Sequence, residues 1–360
     1  MINVTKTYLP PFEEYTKQLK RAWNNNWITN HGELVQELEL KLKEYLGVKH
    51  LLYCANGTVV LQLALRVYNI SKEVITTPFS YVATTNAILW ERCTPIFVDI
   101  ESNTFCIDVD KIEAAITDNT EAILATHVYG FPCHIEKIQA LAEKYKLKVI
   151  YDAAHAFGAK YNNRSLLSYG DITTCSFHAT KLFHTVEGGC IITDDDEIAD
   201  QLSLFRSFGH IGDDYFSGGI NAKNSEFHAA MGLANLPHLE TIIARRKQIF
   251  TRYIENLRSI GEIQLPGDGE QSMIYNYAYF PIVFETEEQL LATMQALRKE
   301  GVNSRRYFYP SLNTLSHVNT YQPCEVSEQI SKRVLCIPFY PQLTDEDIDG
   351  IVSTIKISFR

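Results

Sequence analysis

The sequence has no C-x-x-C pair among its eight cysteines, which removes the zinc-ribbon and thioredoxin-like spacings. It contains no run of 18 apolar residues, so no helix is expected to span a bilayer. Its first residues, MINVTKTYLPP, lack the apolar stretch of a secretory signal. Positive charge is in deficit: 33 Lys and Arg against 43 Asp and Glu leave a formal net charge of −10 over 360 residues. Such a chain repels polyanions, so neither nucleic acid nor an anionic membrane is expected as a partner. A local basic pocket for one anionic ligand stays open. The 11 histidines show no ligand spacing, so no metal is expected. Free thiols without a secretory signal point to a reducing cytoplasm. With 46% hydrophobic and 21% charged residues, disorder is excluded and a full core can be buried in two domains or one large one.

What is present is alternation. A proline-opened helical stretch over 11–27 and a second helix over 35–46 precede short apolar runs at 51–55, 74–77, 95–100, 122–128 and 149–152. Helical patterns at 59–68, 81–92, 109–116 and 135–146 separate these runs. Strand and helix in turn imply βαβ units and a mostly parallel sheet covered on both faces. The pattern then changes to short β-like pieces at 172–177 and 190–193, a glycine-rich loop at 209–219 and a long helical stretch over 225–260 broken near Pro237. A strand at 279–284, helices at 287–299 and after 345, and a Tyr/Arg-rich loop at 305–309 complete a small α+β domain. The expected division is 1–245 for a large cofactor-binding domain and 246–360 for a small one, with the N-terminal helix packed on the small domain.

Three segments carry chemistry. In Asn56-Gly57-Thr58-Val59 a buried strand turns directly into a helix, which presents backbone N–H groups and a positive dipole end to a phosphate. The plainer reading is a βα turn with Thr58 as N-cap. Asp152 ends a buried strand, where open α/β sheets bind ligands, and His155 follows it; a lone aspartate there equally serves as a helix cap. In the segment 176–189, Lys181 stands among hydroxyls, histidines and aromatics, ended by Glu187-Gly188-Gly189. A partly desolvated lysine can condense with an aldehyde, whereas a surface lysine keeps its charge in water. Taken together with the aromatic pair Phe79 and Tyr81, these are the parts that pyridoxal phosphate requires: a phosphate seat, a carboxylate for the pyridine nitrogen, a lysine for the aldehyde and a stacking face.

With Pro78-Phe79-Ser80-Tyr81-Val82-Ala83-Thr84, Tyr151-Asp152-Ala153-Ala154-His155, Ser176-Phe177-His178-Ala179-Thr180-Lys181 and Gly219-Ile220-Asn221 in this order, the chain resembles the DegT/DnrJ/EryC1/StrS sugar-nucleotide aminotransferases from about residue 27 to 341. The resemblance implies a fold-type I pyridoxal-phosphate enzyme and a homodimer with two shared sites. It gives Lys181 and Asp152 the catalytic roles and places His155 near the ring 3-hydroxyl. Tyr81 stacks on the ring, Gly57, Thr58, Val59 and Ser176 hold the phosphate, and Asn221 reaches that phosphate from the other subunit. His184 and Lys223 depart from the family's usual residues and receive no role. His178, Arg305, Arg306 and Tyr309 are candidates for the sugar nucleotide, although the 305–309 loop could equally pack on the domain seam.

Lys181 favours transamination over the dehydratases of the family, which replace it with histidine. Relatives that aminate C4 read Ser-Phe-His-x-x-Lys, as here, whereas those acting at C3 carry Tyr-Pro at 178–179. The expected reaction is transfer of nitrogen from L-glutamate to C4 of dTDP-4-keto-6-deoxyglucose, feeding surface-polysaccharide synthesis. A 3-aminotransferase or a pyridoxal-phosphate-dependent dehydratase on a GDP-, UDP- or dTDP-linked sugar, and a non-catalytic regulatory ligand sensor, are the alternatives.

Overall fold

Seven of the short β segments align as one sheet in the computed structural model, which describes residues 1–267, 272–318 and 321–359. They are β1 (His50–Cys54), β2 (Glu73–Thr76), β3 (Thr94–Phe97), β4 (Thr120–Thr126), β5 (Lys148–Asp152), β6 (Ile172–Ser176) and β7 (Gly189–Thr193). Their spatial order is β1-β7-β6-β5-β4-β2-β3. Neighbours pair in parallel except at β7, which runs antiparallel to both β1 and β6. Successive side chains on a strand point to opposite faces. Accordingly Leu51, Tyr53, Ile123, Val149 and Tyr151 enter the larger core, while Leu52, Cys54, Leu124, Ile150 and Ile191 enter a second one. A strand buried on both faces needs the continuous apolar run seen in the sequence.

The helices of this region are α1 (Phe12–Asn25), α2 (Glu33–Leu46), α3 (Gly57–Val67), α4 (Ala83–Trp90), α5 (Val109–Ala115), α6 (Ile135–Tyr145) and α7 (Asp196–Arg206). α3, α4 and α7 cover the second core, and α2, α5 and α6 cover the larger one. Strand β3 stops at Phe97, short of the expected residue 100. Asp99 instead turns its carboxylate to the Val326 and Ser327 amides, both at 2.9 Å. The expected helix at 81 starts only at Ala83, which leaves Tyr81 in the preceding turn.

The break expected near Pro237 is present: α8 (Glu226–Asn235) passes through one 3-10 turn, Leu236–His238, into α9 (Leu239–Leu257). Residue 245, the expected domain boundary, lies inside the continuous α9. Beyond it stand a three-stranded antiparallel sheet (Ile263–Gln264, Pro281–Phe284, Val334–Cys336) and the helices α10 (Glu287–Lys299), α11 (Glu325–Arg333) and α12 (Asp345–Ile357). The sequence reading left α11 and its strand unassigned. α11 carries only Val326 and Ile330 as aliphatic side chains and buries Ser327 by a 2.6 Å bond to Ser311 instead.

Helix α1 does not pack on the C-terminal region as expected. It lies on α8, where Tyr15 donates to the Phe227 carbonyl at 3.4 Å, and Glu14 pairs with His238. The extended residues ahead of α1 make the crossing: the Ile2 amide donates to the Gly301 carbonyl, and the Phe339 amide to that of Val4. Among the described residues no helix is long and apolar enough to cross a membrane.

One side chain fixes how α2 meets α8. Glu226, 1% exposed, accepts from the Leu34 amide at 2.7 Å and the Val35 amide at 3.1 Å. These are otherwise unpaired donors in the first turn of α2, and a carboxylate there also meets the positive end of the helix dipole. Glu226→Ala is expected to lower the unfolding free energy by about 2 kcal/mol, read as a lower urea midpoint at unchanged slope.

Candidate active site

The carboxyl ends of the parallel strands supply one wall of a cleft of about 270 Å³, and the C-terminal region supplies the other. Gly57, Thr58, Tyr81, Asp152, His155, Ser176, His178, Lys181 and Arg305 all line it, together with Tyr279, Tyr307 and Phe308. This is the edge at which open α/β sheets hold ligands. Residues assigned from five separate sequence segments therefore meet in one place.

Asp152, only 6% exposed, ends β5. Its Oδ1 accepts from the Ala154 amide at 3.1 Å and its Oδ2 from the Thr84 hydroxyl at 2.7 Å. Thr84 spends its proton on the carboxylate, so it accepts from Ser80 at 2.8 Å, and Ser80 in turn accepts from Thr126 at 3.2 Å. Three hydroxyls thus point their donors one way, each polarising the next towards the carboxylate. Burial raises the Asp152 pKa, while the Thr84 bond, the Ala154 amide and the Lys181 charge pull it down.

His155 is 4% exposed, and its Nδ1 accepts from the Tyr129 amide at 3.3 Å. Burial and the nearby Lys181 charge hold its pKa well below the ordinary value, so the ring is neutral. With Nδ1 used as acceptor, the proton is on Nε2. Phe308 stacks on the imidazole at 5.4 Å between centroids, and Tyr279 meets it edge-on at 4.9 Å.

Lys181 is carried by the connection between β6 and the reversed β7. That connection folds on itself: the Phe177 amide donates to the Gly188 carbonyl, Thr185 to Phe177, Ala179 to Val186 and Lys181 to His178. Gly189 is required where β7 begins, because a Cβ there would stand 2.7 Å from the Asn56 carbonyl oxygen. The Lys181 Nζ donates to the Tyr279 hydroxyl at 3.4 Å. Desolvation lowers its pKa, and Asp152 opposes the shift. A buried amine of this kind exchanges its proton more readily than a surface lysine.

At the other end, α3 opens with Asn56 as N-cap, not Thr58. Its Oδ1 accepts from the Thr58 amide at 3.0 Å and the Val59 amide at 2.9 Å. An oxygen acceptor thus already stands on the two N–H groups that the resemblance gives to a phosphate. Gly57 brings this turn against β6, since a Cβ there would lie 2.7 Å from that of Ser176. The Thr58 and Ser176 hydroxyls face the same cleft. The donor set fits pyridoxal phosphate. It offers hydroxyls and a helix N-terminus for the phosphate, a buried carboxylate without a hydrogen-bonded cation for the ring nitrogen, a desolvated lysine, and the Tyr81 ring, 54% exposed, as a stacking face.

The other expected residues divide. His178 is held at the cleft rim by the Thr180 amide and hydroxyl on its Nδ1, with Nε2 3.6 Å from Glu187. Arg305 lines the cleft with its guanidinium 4.7 Å from the Tyr307 ring centroid, and no carboxylate among the described residues pairs with it. Arg306 and Tyr309 do not line the cleft. Arg306 is bound to Glu287 at 2.6 Å and to the Lys332 carbonyl at 2.9 Å, and it stacks on Tyr309 at 3.6 Å. For these two the seam-packing alternative describes their position. Asn221 is exposed and lies outside the cleft. His184 is buried and tied to the Tyr8 carbonyl at 2.6 Å, and Lys223 covers the Phe208 ring.

Sequence reasoning missed Tyr279 and Thr126 as parts of the site and named Ser80 and Thr84 only within a motif. Tyr279 was read as the start of a strand, and the three hydroxyls follow the ends of β2 and β4, a position that could have drawn attention to them.

Thr84→Val removes the last donor of the hydroxyl chain, so the Asp152 pKa rises. With the ionised carboxylate as the form proposed to serve the ring nitrogen, activity is expected to fail at higher pH than in wild type. The acid limb of kcat/KM is expected to move up by about one pH unit. An unmoved limb would assign the chain a packing role only.

The model of the DegT/DnrJ/EryC1/StrS aminotransferase family matches residues 12–356. A dTDP-4-amino-4,6-dideoxy-D-glucose transaminase of Shigella dysenteriae is 39% identical over 99% of this chain and 98% of its own. A GDP-perosamine synthase of Escherichia coli O157:H7 is 33% identical over 97% and 98%. The solved structure of DesI in the presence of its TDP-sugar product superposes with a TM-score of 0.95 at 30% identity, covering 100% of this chain and 93% of that one. Members of the matched family depend on pyridoxal phosphate. Likeness over the full length and convergence of the motif residues on one cleft lead to the same conclusion: the chain belongs to the DegT/DnrJ/EryC1/StrS family and is a pyridoxal-phosphate-dependent sugar-nucleotide aminotransferase.

Proposed function

We propose that the protein transfers the amino group of L-glutamate to C4 of dTDP-4-keto-6-deoxy-D-glucose, giving dTDP-4-amino-4,6-dideoxy-D-glucose for surface-polysaccharide (O-antigen, lipopolysaccharide) synthesis in the cytoplasm. The observation that carries this reading is the 39% identity to the S. dysenteriae transaminase over nearly both chains. The eight buried free thiols suit a reducing compartment.

Pyridoxal phosphate, when bound, supplies the electron sink and carries nitrogen from donor to acceptor. The chain's own residues then have distinct tasks. Asp152, kept ionised by its hydroxyl chain, holds positive charge on the ring nitrogen. His155 offers Nε2–H from a rigid stack. Lys181, once its amine is free, would move a proton from the donor's α-carbon to the cofactor in the first half-reaction and from the cofactor to C4 of the sugar in the second, acting as base and then as acid in each. Burial lowers its pKa, which eases the loss of its proton, and Tyr279 keeps Nζ oriented. Arg305, a cation at the mouth without a carboxylate, suits the sugar nucleotide's diphosphate, and His178 faces the sugar from the rim.

The likeness to the GDP-perosamine synthase supports a second reading, the same transfer on a GDP-linked sugar. Incubation with dTDP-, GDP- and UDP-linked 4-ketosugars, a 3-keto isomer and L-glutamate, followed by mass analysis, separates them. The dTDP-4-amino product is expected. Preference for the GDP sugar overturns the nucleotide, amination of the 3-keto isomer alone overturns the position, and loss of a sugar hydroxyl without gain of nitrogen indicates a dehydratase.

We further infer a homodimer whose two sites are shared. Asn221 lies beside the end of β1, where the Ala55 amide donates to the Ala222 carbonyl, yet outside its own cleft. Around it Trp90, Phe208, Tyr215, Phe216 and Ile220 are exposed, an apolar surface that a second copy would cover. Lys181→Ala and Asn221→Ala are each expected to lose most activity. Mixing them should restore roughly a quarter of the wild-type rate, since half the dimers are hybrids with one intact site. A monomer with full turnover would refute the shared site.

A further inference from the structure

The connection that carries Lys181, residues 177–188, contains one residue in an unfavourable conformation. Val186 has a φ of 68°, in the left-handed region. A β-branched side chain crowds the backbone there, whereas glycine would adopt the same angle freely. The Val186 side chain is 41% exposed, so its own burial does not account for the conformation. Strain of this kind persists where the surroundings over-determine it.

Two hydrogen bonds hold the residue from either side. The Val186 amide donates to Nδ1 of His184 at 3.2 Å, and the Val186 carbonyl accepts from the Ala179 amide at 2.7 Å. The first closes a turn through a side chain two residues back. The second ties the returning arm of the connection to the arm under Lys181, whose own amide donates to the His178 carbonyl. His184 is itself fixed and 1% exposed. Its Nε2 donates to the Tyr8 carbonyl at 2.6 Å, and the Asn235 side-chain amide donates to the His184 carbonyl at 3.0 Å. Burial lowers the imidazole pKa, which favours the neutral ring and keeps the Nδ1 lone pair for the Val186 amide.

We propose that His184 is a positioning residue for Lys181: by accepting the Val186 amide it keeps a strained turn closed, and the closed turn holds the lysine at the cleft. The proposal rests on the aminotransferase reading and adds a residue to it. His184 does not line the cleft, so it acts through the backbone. A lysine amine stands on a flexible four-carbon stem, and one that serves two reacting carbons in turn gains from a stiff backbone beneath it. Without the Nδ1 acceptor, Val186 relaxes out of the left-handed region, its carbonyl turns from Ala179, and the arm under Lys181 loosens.

The test reads two quantities in the cofactor-loaded enzyme: steady-state transfer from L-glutamate, and hydrogen exchange at the Ala179 amide. His184→Ala is expected to lower kcat about 10- to 100-fold while KM for glutamate moves less than about threefold, and to speed the Ala179 exchange at least about fivefold. His184→Asn, whose Oδ1 stands where Nδ1 does, keeps the acceptor for Val186 and loses the reach to Tyr8. It should recover most of both losses. With Val186→Gly the turn carries no strain, so adding His184→Ala should then cost less than about threefold in kcat relative to Val186→Gly alone. Wild-type kcat in His184→Ala overturns the proposal, as does an Asn variant as slow as the Ala variant. A lower melting temperature with kcat and Ala179 exchange unchanged is equally fatal, and so is an undiminished loss in the glycine background. If His184→Ala does not fold, the double variant His184→Ala/Val186→Gly should fold and turn over, and its failure to fold overturns the proposal too. Failure of the aminotransferase reading is distinct: wild type would then transfer no nitrogen from any amino acid, while the exchange measurement would still report on the turn.

Discussion

The site is organised around keeping one carboxylate ionised where water hardly reaches. Asp152 is almost fully buried, and desolvation is the largest influence on it, raising its pKa. The opposing force is not a neighbouring cation in hydrogen-bond contact but a directed series of hydroxyls, Thr126 to Ser80 to Thr84, ending on Oδ2. Those residues belong to the ends of β2 and β4 and the turn into α4, so the electrostatics of β5 are set by its sheet neighbours. This explains why the parallel order β5-β4-β2 matters chemically. Moving any of these strand ends would strand a buried charge.

Lysine and aspartate also act on each other. Burial pushes the Lys181 pKa down and that of Asp152 up, while each charge partly restores the other. The single reversed strand makes this pairing possible. Because β7 runs back beside β6, the connection between them is a closed loop at the carboxyl edge instead of a crossover helix. Lys181 is thereby held in a hydrogen-bonded turn, with its amine directed to Tyr279.

Much of this was legible in the sequence, and the reasons are local. Strands buried on both faces must be apolar throughout, so β1, β4 and β5 stood out, and Pro237 marked its break. Lys181, Asp152 and the Gly57 turn were found because the residue type itself carries the chemistry. The failures have a physical pattern too. Arg306 and Arg305 are adjacent and identical in type, yet Glu287 captures the first and leaves the second at the cleft. Which neighbour finds a carboxylate 19 positions away is decided by tertiary packing. Helix α11 lacked an apolar stripe because Asp99 and Ser311 satisfy its first turn through hydrogen bonds. Thr58 was taken as a cap where Asn56, one step outside the helix, does that work.

The placement of the remaining groups separates two kinds of function. The residues proposed for the cofactor's ring and phosphate belong to the large sheet and its turns, whereas Tyr279, Arg305, Tyr307 and Phe308 come from the C-terminal region. That second wall is tied to the sheet region by specific bonds: Tyr129 donates its hydroxyl to the Tyr307 carbonyl, Asn276 donates to the His155 and Phe157 carbonyls, and the Leu312 amide donates to the Pro78 carbonyl. A wall joined to the sheet through such specific contacts can change its side chains without disturbing the buried Asp152 or the lysine loop. One chemistry can then be kept while the sugar nucleotide changes, consistent with a family match that spans relatives named for dTDP- and GDP-linked sugars. Arg246, on the helix that joins the two regions, reaches the wall through the Tyr277 and Ala278 carbonyls just ahead of Tyr279. Through them the same guanidinium holds the backbone that leads into the phenol meeting Lys181.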